Sequence, residues 1–241
     1  MTGGYKPPPT PTGTRSFTQV TKPSGKRSWH IATPSFGSAP ATTLTAFARC
    51  QPGIRSVSVV TDSAKVDPTV ATRLQPRCPP TRRLVGGGYS VTPTFHFTPL
   101  PAAGPLVVAL ESRKFGSRDW RVTVANVNLT PNVTTGKVTA YALCATGSAE
   151  SKTVSKTIPI TYGARADTVA RCPTRWHTVS GGFKASPSFD GPTPTDYVLP
   201  LFDSSAPQGS RAWALGGFYY TPFQGNVADG EITAYAYCEH N

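Results

Sequence analysis

The segment Gly136–Cys144, GKVTAYALC, decides the fold, because the chain repeats it almost unchanged as Gly230–Cys238, GEITAYAYC. A more distant copy, TTLTAFARC, spans Thr42–Cys50. The three terminal cysteines are evenly spaced, 94 residues from 50 to 144 and 94 from 144 to 238. Small or polar residues alternate with larger ones along each copy, and alternation with a period of two predicts a β-strand. The sequence therefore predicts an internal repeat whose last element is a strand that ends in cysteine.

Landmarks upstream of these strands keep the same spacing. Arg77–Phe95, RCPPTRRLVGGGYSVTPTF, corresponds to Arg171–Phe189, RCPTRWHTVSGGFKASPSF, and the opening TGGYKPPPTP matches the later part of both. A tryptophan precedes each terminal cysteine by 21 to 25 residues, namely Trp29, Trp120 and Trp213. We therefore divide the chain into three repeat units, residues 1–77, 78–171 and 172–241. The first unit lacks the initial cysteine and contains a Pro-rich arm, Pro7–Pro11, which is expected to be extended.

The composition favours strands over helices. The 241 residues include 25 prolines and 22 glycines, and such residues are typical of short strands joined by turns. We expect an all-β fold of antiparallel strands, with the three units arranged either with pseudo-threefold symmetry, as in a prism or trefoil, or as tandem sandwiches. Residues 51–77 and 145–171 carry alternating β-branched residues, which predicts additional strands rather than linkers. The turn residues of Leu129–Gly136 predict a hairpin between the Trp120 strand and the following one.

The glycine run Gly86–Gly88 recurs as Gly181-Gly182 and Gly3-Gly4. It lacks the Gly-Lys-Ser/Thr ending of a phosphate-binding loop and is not followed by a helical pattern. Glycine in a strand favours a bulge or a backbone that packs closely against a neighbour. We therefore predict that these glycines lie at a bulge or pack against a tryptophan or tyrosine.

The five cysteines recur in register, which indicates disulfides, and no Cys-x-x-Cys pattern indicates a zinc site. One pairing joins Cys78 to Cys144 and Cys172 to Cys238, and leaves Cys50 as a free or partner-dependent thiol. The other joins Cys50 to Cys78 and Cys144 to Cys172. We favour the first pairing, because it ties the first strand of a unit to its last. It also leaves Cys50 unpaired, and Cys50 belongs to the unit that lacks an initial cysteine. Either pairing implies an oxidising, extracellular environment.

The pattern Cys78-Pro79, Gly86–Tyr89, Trp120-Arg121-Val122, Asn126 and Val138–Cys144 resembles a repeat module of secreted actinobacterial proteins and of actinophage proteins. Unit 3 repeats the pattern but departs from it at Trp213-Ala214-Leu215 and at Gly217, which stands where unit 2 has Asn126. The resemblance implies an extracellular location and a repeat architecture. It implies no activity and no catalytic residues.

The residues that carry chemistry are scattered. The four histidines fall at unrelated positions of the repeat, and no acid recurs in all three units, so the sequence predicts no catalytic residues, no metal site and no cofactor. The recurrent tryptophans are predicted to be core residues rather than sugar platforms. Aromatic residues that differ between units are the candidate contact residues: Phe95, Phe97, Trp176, Phe218, Tyr219, Tyr220 and Phe223.

The chain carries 24 basic and 12 acidic residues, a formal net charge of +12, which suits an anionic partner. The basic residues form no long run, which argues against a nucleic-acid tail, and no apolar stretch is long enough for a membrane span. We expect a non-catalytic structural or adhesion protein of an extracellular assembly, either a phage virion component (capsid decoration or tail) or an actinobacterial surface protein. Its partners would be other subunits, a cell-surface glycan or an anionic polymer. The alternative is a secreted lectin-like carbohydrate-binding module.

Overall fold

The computed structural model describes residues 2–6, 15–25, 28–36, 44–50, 56–68, 70–93, 106–127, 135–147, 151–186, 200–219 and 229–240. These ranges contain strands and no helix, so the prediction of an all-β chain is confirmed. In chain order the strands are β1 (Thr2–Lys6), β2 (Arg15–Ser16), β3 (Val20–Pro23), β4 (Trp29–Ala32), β5 (Ser35–Phe36), β6 (Thr45–Arg49), β7 (Val57–Val66), β8 (Ala71–Leu74), β9 (Arg83–Thr92), β10 (Val107–Phe115), β11 (Asp119–Asn126), β12 (Gly136–Ala145), β13 (Ser151–Ile160), β14 (Arg165–Arg171), β15 (Trp176–Ser186), β16 (Pro200–Gln208), β17 (Ala212–Tyr219) and β18 (Gly230–His240).

Three antiparallel sheets contain nearly all of these strands. Sheet I has the order β6-β1-β16-β17-β14, sheet II the order β7-β12-β9-β3-β4, and sheet III the order β13-β18-β15-β10-β11-β8. The short strands β2 and β5 pair with each other. Each sheet combines strands that are far apart in sequence. In sheet I, for example, Tyr5 of β1 lies opposite Ser205 of β16.

The strand pairing around Cys144 recurs around Cys238. In sheet II, Cys144 lies opposite Ser58 of β7 on one side and Leu84 of β9 on the other. In sheet III, Cys238 lies opposite Lys152 of β13 and Thr178 of β15, so both neighbours are displaced by the same 94 positions (58 to 152, and 84 to 178). The register also shifts next to both cysteines, where β9 and β15 each carry one extra residue, Val85 and Val179.

Residues 51–77 and 145–171 contain strands, as the alternation of β-branched residues predicted. They contain β7 and β8 in one case and β13 and β14 in the other. The predicted hairpin around Leu129–Gly136 is wrong, because β11 and β12 lie in different sheets. The hairpins join β10 to β11 and β16 to β17 instead. Gly116 and Gly209, with φ of 71° and 65°, provide the left-handed turn residues that other amino acids adopt at a cost.

Two disulfides, Cys78–Cys144 and Cys172–Cys238, attach the segments that precede β9 and β15 to the strands β12 and β18, with Cα–Cα distances of 5.5 and 5.7 Å. This is the first of the two pairings considered from the sequence. Cys50 is a free, exposed thiol. All four bridged cysteines are buried.

The core lies where the three sheets face one another, and its largest members are Trp120 and Trp213, each 1% exposed. The indole nitrogen of Trp120 donates a hydrogen bond to Ser112 Oγ at 3.1 Å, and that of Trp213 donates to Ser205 Oγ at 2.9 Å. Trp29, which is only half-buried, donates to Thr21 Oγ1 at 2.9 Å. All three acceptors lie eight residues before their tryptophan. The prediction that the recurrent tryptophans are core residues is confirmed for Trp120 and Trp213.

The recurrent glycines make room for these indoles. A Cβ on Gly87 would overlap the ring of Trp120, one on Gly181 would overlap Trp213, and one on Gly3 would overlap Trp29. This confirms that the glycines allow the backbone to pack against tryptophan. The absence of a side chain therefore sets how closely a strand of one sheet approaches an indole from another sheet.

The residue that follows each glycine motif forms the centre of the core. Tyr5, Tyr89 and Phe183 are 1%, 1% and 2% exposed, and the rings of Tyr89 and Phe183 meet edge to face at a centroid distance of 6.4 Å. The Tyr89 hydroxyl donates to the carbonyl of Thr18 at 2.8 Å, so its polar end is satisfied inside the core. Burial raises the pKa of both tyrosines well above the usual value.

Candidate functional site

Buried carboxylates in the described part of the chain pair with arginine rather than with one another. Glu111 accepts a hydrogen bond from Arg113 Nε at 2.6 Å and one from Thr123 Oγ1 at 2.9 Å. Glu239, in sheet III, forms an ion pair with Arg83 in sheet II. Across the described residues, no group of three or more histidine, cysteine, aspartate or glutamate side chains is placed to hold a metal ion. These buried charges therefore connect strands and sheets.

Arg165 lies between two carboxylates on sheet I. It contacts Asp167 through Nε at 3.0 Å and Nη2 at 2.9 Å, and it also pairs with Asp203 on β16. Burial raises the pKa of Asp203, and the hydrogen bond from Arg165 opposes this effect. Burial alone would lower the pKa of Arg165, but its hydrogen bonds to the two aspartates raise it overall. The guanidinium thus remains charged and bridges β14 to β16 across Gly216, where a side chain would collide with it.

An arginine-lined cavity opens at the end of sheet I, close to the Cys172–Cys238 disulfide. It has a volume of about 420 Å³ and is lined by Arg171, Cys172, Gln208, Ser210, Arg211 and Ala212. Arg211 donates from Nη2 to the carbonyl of Cys172 at 3.1 Å, which fixes its guanidinium beside the cavity. None of the carboxylates in the described ranges forms an ion pair with Arg171 or Arg211. Two exposed guanidinium groups therefore remain available to an anion.

The equivalent place beside Cys78 carries its own counter-charge. Arg77 lies opposite Asp119, with a distance of 3.8 Å between Nε and the carboxylate, just as Arg171 lies opposite Ala212. The cysteine amide beside each arginine donates to the matching carbonyl, Cys78 to Arg118 and Cys172 to Arg211. Because alanine stands at this position beside Trp213, Arg171 has no counterpart of the Arg77–Asp119 ion pair among the described residues.

Arg49 extends the positive charge at the rim of the cavity. Its Nη2 donates to the carbonyl of Gly209 at 2.7 Å, and Nη1 approaches the carbonyl of Ser210 at 3.4 Å and that of Thr178. Burial lowers the pKa of Arg49 from its usual value. Since Ser210 lines the cavity, a third guanidinium lies beside the pair formed by Arg171 and Arg211. This arrangement suits recognition of an extended anion, because arginine binds phosphate and carboxylate oxygens in pairs.

The structure does not gather the contact aromatics into one site. Trp176 is half-buried and packs edge to face on His240 at a centroid distance of 5.4 Å. Phe218 and Tyr219, 7% and 1% exposed, are buried in sheet I, where Tyr162 covers Tyr219. The rings of Phe218 and Tyr219 therefore lie in the protein interior. The other predicted contact residues lie outside the described residues: Phe95, Phe97, Tyr220 and Phe223.

The arginine-lined cavity could not be recognised from the aromatic residues that differ between units. The useful signal was a charge that differs between units. Arginine precedes both the unit 2 and unit 3 cysteines and recurs two positions before each tryptophan, whereas the aspartate next to Trp120 becomes Ala212 next to Trp213.

No protein-family model matches the chain, and no curated protein matches it either. The described residues include no helix that is long and apolar enough to cross a membrane. The two disulfides are compatible with a secreted protein.

Proposed function

We propose that the protein is a non-catalytic structural or adhesion component of an extracellular assembly and that its arginine-lined cavity binds an anionic polymer. Such an assembly is a phage virion, with the protein as capsid decoration or tail component, or the surface of an actinobacterial cell. The observation that carries the proposal is the pair of exposed side chains, Arg171 and Arg211, that line a cavity and form no ion pair with a carboxylate of the described residues. A polymer with regularly spaced phosphates, of the teichoic acid type, matches this chemistry.

The architecture supports a rigid scaffold rather than a mobile catalyst. We infer that the three sheets are equivalent faces of a pseudo-threefold body, in which each sheet combines strands of at least two repeat units. Matching registers around Cys144 and Cys238 support this equivalence, as do the matching indole hydrogen bonds of all three tryptophans. A body closed in this way holds its surface groups in fixed positions, which favours binding of a repetitive polymer.

The test measures the affinity of the oxidised protein for poly(glycerol phosphate) and for a neutral polysaccharide by isothermal titration calorimetry. The variant Arg171→Ala/Arg211→Ala removes both guanidinium groups. The variant Arg77→Ala/Arg118→Ala is the matched control, because it removes the same charge at the equivalent place beside Cys78. A third variant, Ala212→Asp, introduces the carboxylate that unit 2 carries naturally, so the fold accommodates it.

We expect saturable binding of the anionic polymer that weakens as salt increases. Loss of a charged hydrogen-bonded contact removes about 1.5 to 3 kcal/mol, so the Arg171→Ala/Arg211→Ala and Ala212→Asp variants should bind about tenfold or more weakly. The Arg77→Ala/Arg118→Ala control should bind within about twofold of the parent, since Arg77 already pairs with Asp119. Equal weakening by both arginine pairs would show that only net charge matters and would refute the cavity. Tighter binding of the neutral polysaccharide would favour the lectin-like alternative.

A further inference from the structure

Two sheet edges lack a strand that the other sheets possess. In sheets II and III an outer strand, β7 or β13, flanks the strand that ends in cysteine, whereas sheet I ends at β6 among the described residues. In sheets I and III an outer strand, β14 or β8, flanks the tryptophan strand, whereas sheet II ends at β4 within the same residues. Within the described residues no strand pairs with the outer edge of β4 or of β6, and an edge of this kind accepts an added strand.

A single type of chain segment fills both positions elsewhere in the molecule. β7 and β8 are consecutive in the chain, yet β7 lies in sheet II and β8 in sheet III, so together they form a β-corner. β13 and β14 form the same corner between sheets III and I. Each corner is followed by the cysteine that bonds to Cys144 or Cys238. Since β4 and β6 contact each other, one corner could occupy both of their free edges.

The residues along these two edges show what such a corner would bring. Trp29 on β4 is half-buried, whereas Trp213 lies under the outer strand β14, opposite Ala170, and is 1% exposed. Thr45 on β6 is exposed, whereas its counterparts pair their hydroxyl groups with the outer strand, Thr139 with Ser63 and Thr233 with Thr157, both at 2.9 Å. Cys50 at the end of β6 is free. The packing of Trp29, the exposed hydroxyl of Thr45 and the free thiol of Cys50 thus all distinguish the edges of β4 and β6 from their counterparts in the other sheets.

We propose that the adjacent edges of β4 and β6 are an acceptor for a two-stranded β-corner donated by a partner polypeptide. The donated segment resembles β13–β14 in chemistry. Its first strand alternates β-branched and polar residues and presents a serine or threonine to Thr45. Its second strand covers Trp29, and a cysteine that follows it lies beside Cys50. The acceptor edge of β6 includes Arg49, which also lies at the rim of the arginine-lined cavity, but the proposal does not use that side chain and stands without the proposed function.

The test uses a peptide with the sequence of residues 151–172, because this segment contains a complete corner and its cysteine. The peptide carries Cys172 as a mixed disulfide with thionitrobenzoate. The Cys50 thiol loses its proton to the buffer, and the thiolate attacks the peptide sulfur. A Cys50–peptide disulfide forms while the bond to thionitrobenzoate breaks, and the released anion is measured by its absorbance. The control peptide has the same length, charge and activated cysteine, but proline replaces Val154 and Thr168, which prevents strand pairing.

We expect the corner peptide to react with Cys50 about tenfold or more faster than the control, because docking raises the effective concentration of its cysteine. A peptide with Cys172→Ser should bind reversibly, change the tryptophan emission and protect the amides of β4 and β6 from hydrogen exchange. The emission change should be absent in a Trp29→Phe variant, which keeps the faster reaction. Equal rates for both peptides would overturn the proposal. So would a dimer of the protein alone whose β4 and β6 amides are already protected, because a second copy would then occupy the edges.

Discussion

Alanine in place of the recurrent glycines should destabilise the protein to an extent set by how firmly the facing tryptophan is held. A Cβ on Gly87 would overlap both Trp120 and the backbone carbonyl of Tyr141, so no side-chain movement relieves it. The three atoms nearest to a Cβ on Gly181 all belong to Trp213, and that ring is fully buried and hydrogen-bonded. Overpacking costs about 1 to 3 kcal/mol and a broken hydrogen bond about 1 kcal/mol. Replacement of glycine by alanine also lowers the conformational entropy of the unfolded chain, which offsets about 0.5 to 1 kcal/mol of the loss in stability.

The expected losses in the free energy of unfolding are therefore about 3 kcal/mol for Gly87→Ala and about 2 kcal/mol for Gly181→Ala. Gly3→Ala should stay within about 0.5 kcal/mol of the parent, because the half-buried Trp29 can move outward. Urea denaturation of the oxidised protein, followed by far-UV circular dichroism at neutral pH, measures all three. Similar losses at all three positions would refute the reasoning, because they would reflect a property of glycine in strands rather than of the indole.

Three further predictions follow from the core and its bridges. Removal of the Cys78–Cys144 disulfide by the double alanine variant should cost about 4 kcal/mol in the free energy of unfolding, given a sequence separation of 66 residues; a loss below about 1 kcal/mol in urea would contradict this. Ser205→Ala should cost about 1 to 3 kcal/mol, because it leaves the buried indole nitrogen of Trp213 unpaired, and unchanged thermal unfolding would speak against it. Burial raises the pKa of three tyrosines above the usual 10.0: Tyr5, Tyr89 and Tyr237. Their neutral forms stabilise the fold fully below pH 10, and above it the unfolded chain ionises first, so stability should fall by about 4 kcal/mol per pH unit. Ultraviolet titration should show these phenols ionising together with loss of near-UV dichroism, and ionisation in a chain with native dichroism would disprove the assignment.

The elements that repeat within the chain could be predicted from its sequence. Alternation in Gly136–Cys144 and its copies predicted strands, and the glycine motifs predicted close backbone packing, because both signals depend on local stereochemistry. The same applies to Val57–Val66 and Ser151–Ile160, where alternating β-branched residues identified strands between the units.

Which strands become neighbours could not be predicted in the same way. Leu129–Gly136 has the residues of a hairpin turn, yet it connects two sheets, because β11 pairs with β10 through the turn at Gly116. Strand pairing is decided by packing over the whole molecule, which turn residues alone do not encode. The arginine-lined cavity escaped prediction for a related reason, since it depends on Arg171 and Ala212 facing each other across two strands.

The position of β1 has a consequence for synthesis of the protein. β1 ends at Lys6 and its neighbour β16 begins at Pro200, so β1 is synthesised long before β16. Sheet I therefore cannot close while the ribosome still holds most of the third unit, and β1 must wait with one edge unpaired. Pairing across so long a stretch of chain is slow, because the loop must close before any contact is gained. During elongation the edge of β1 that later pairs with β16 is therefore open to pairing with a neighbouring chain.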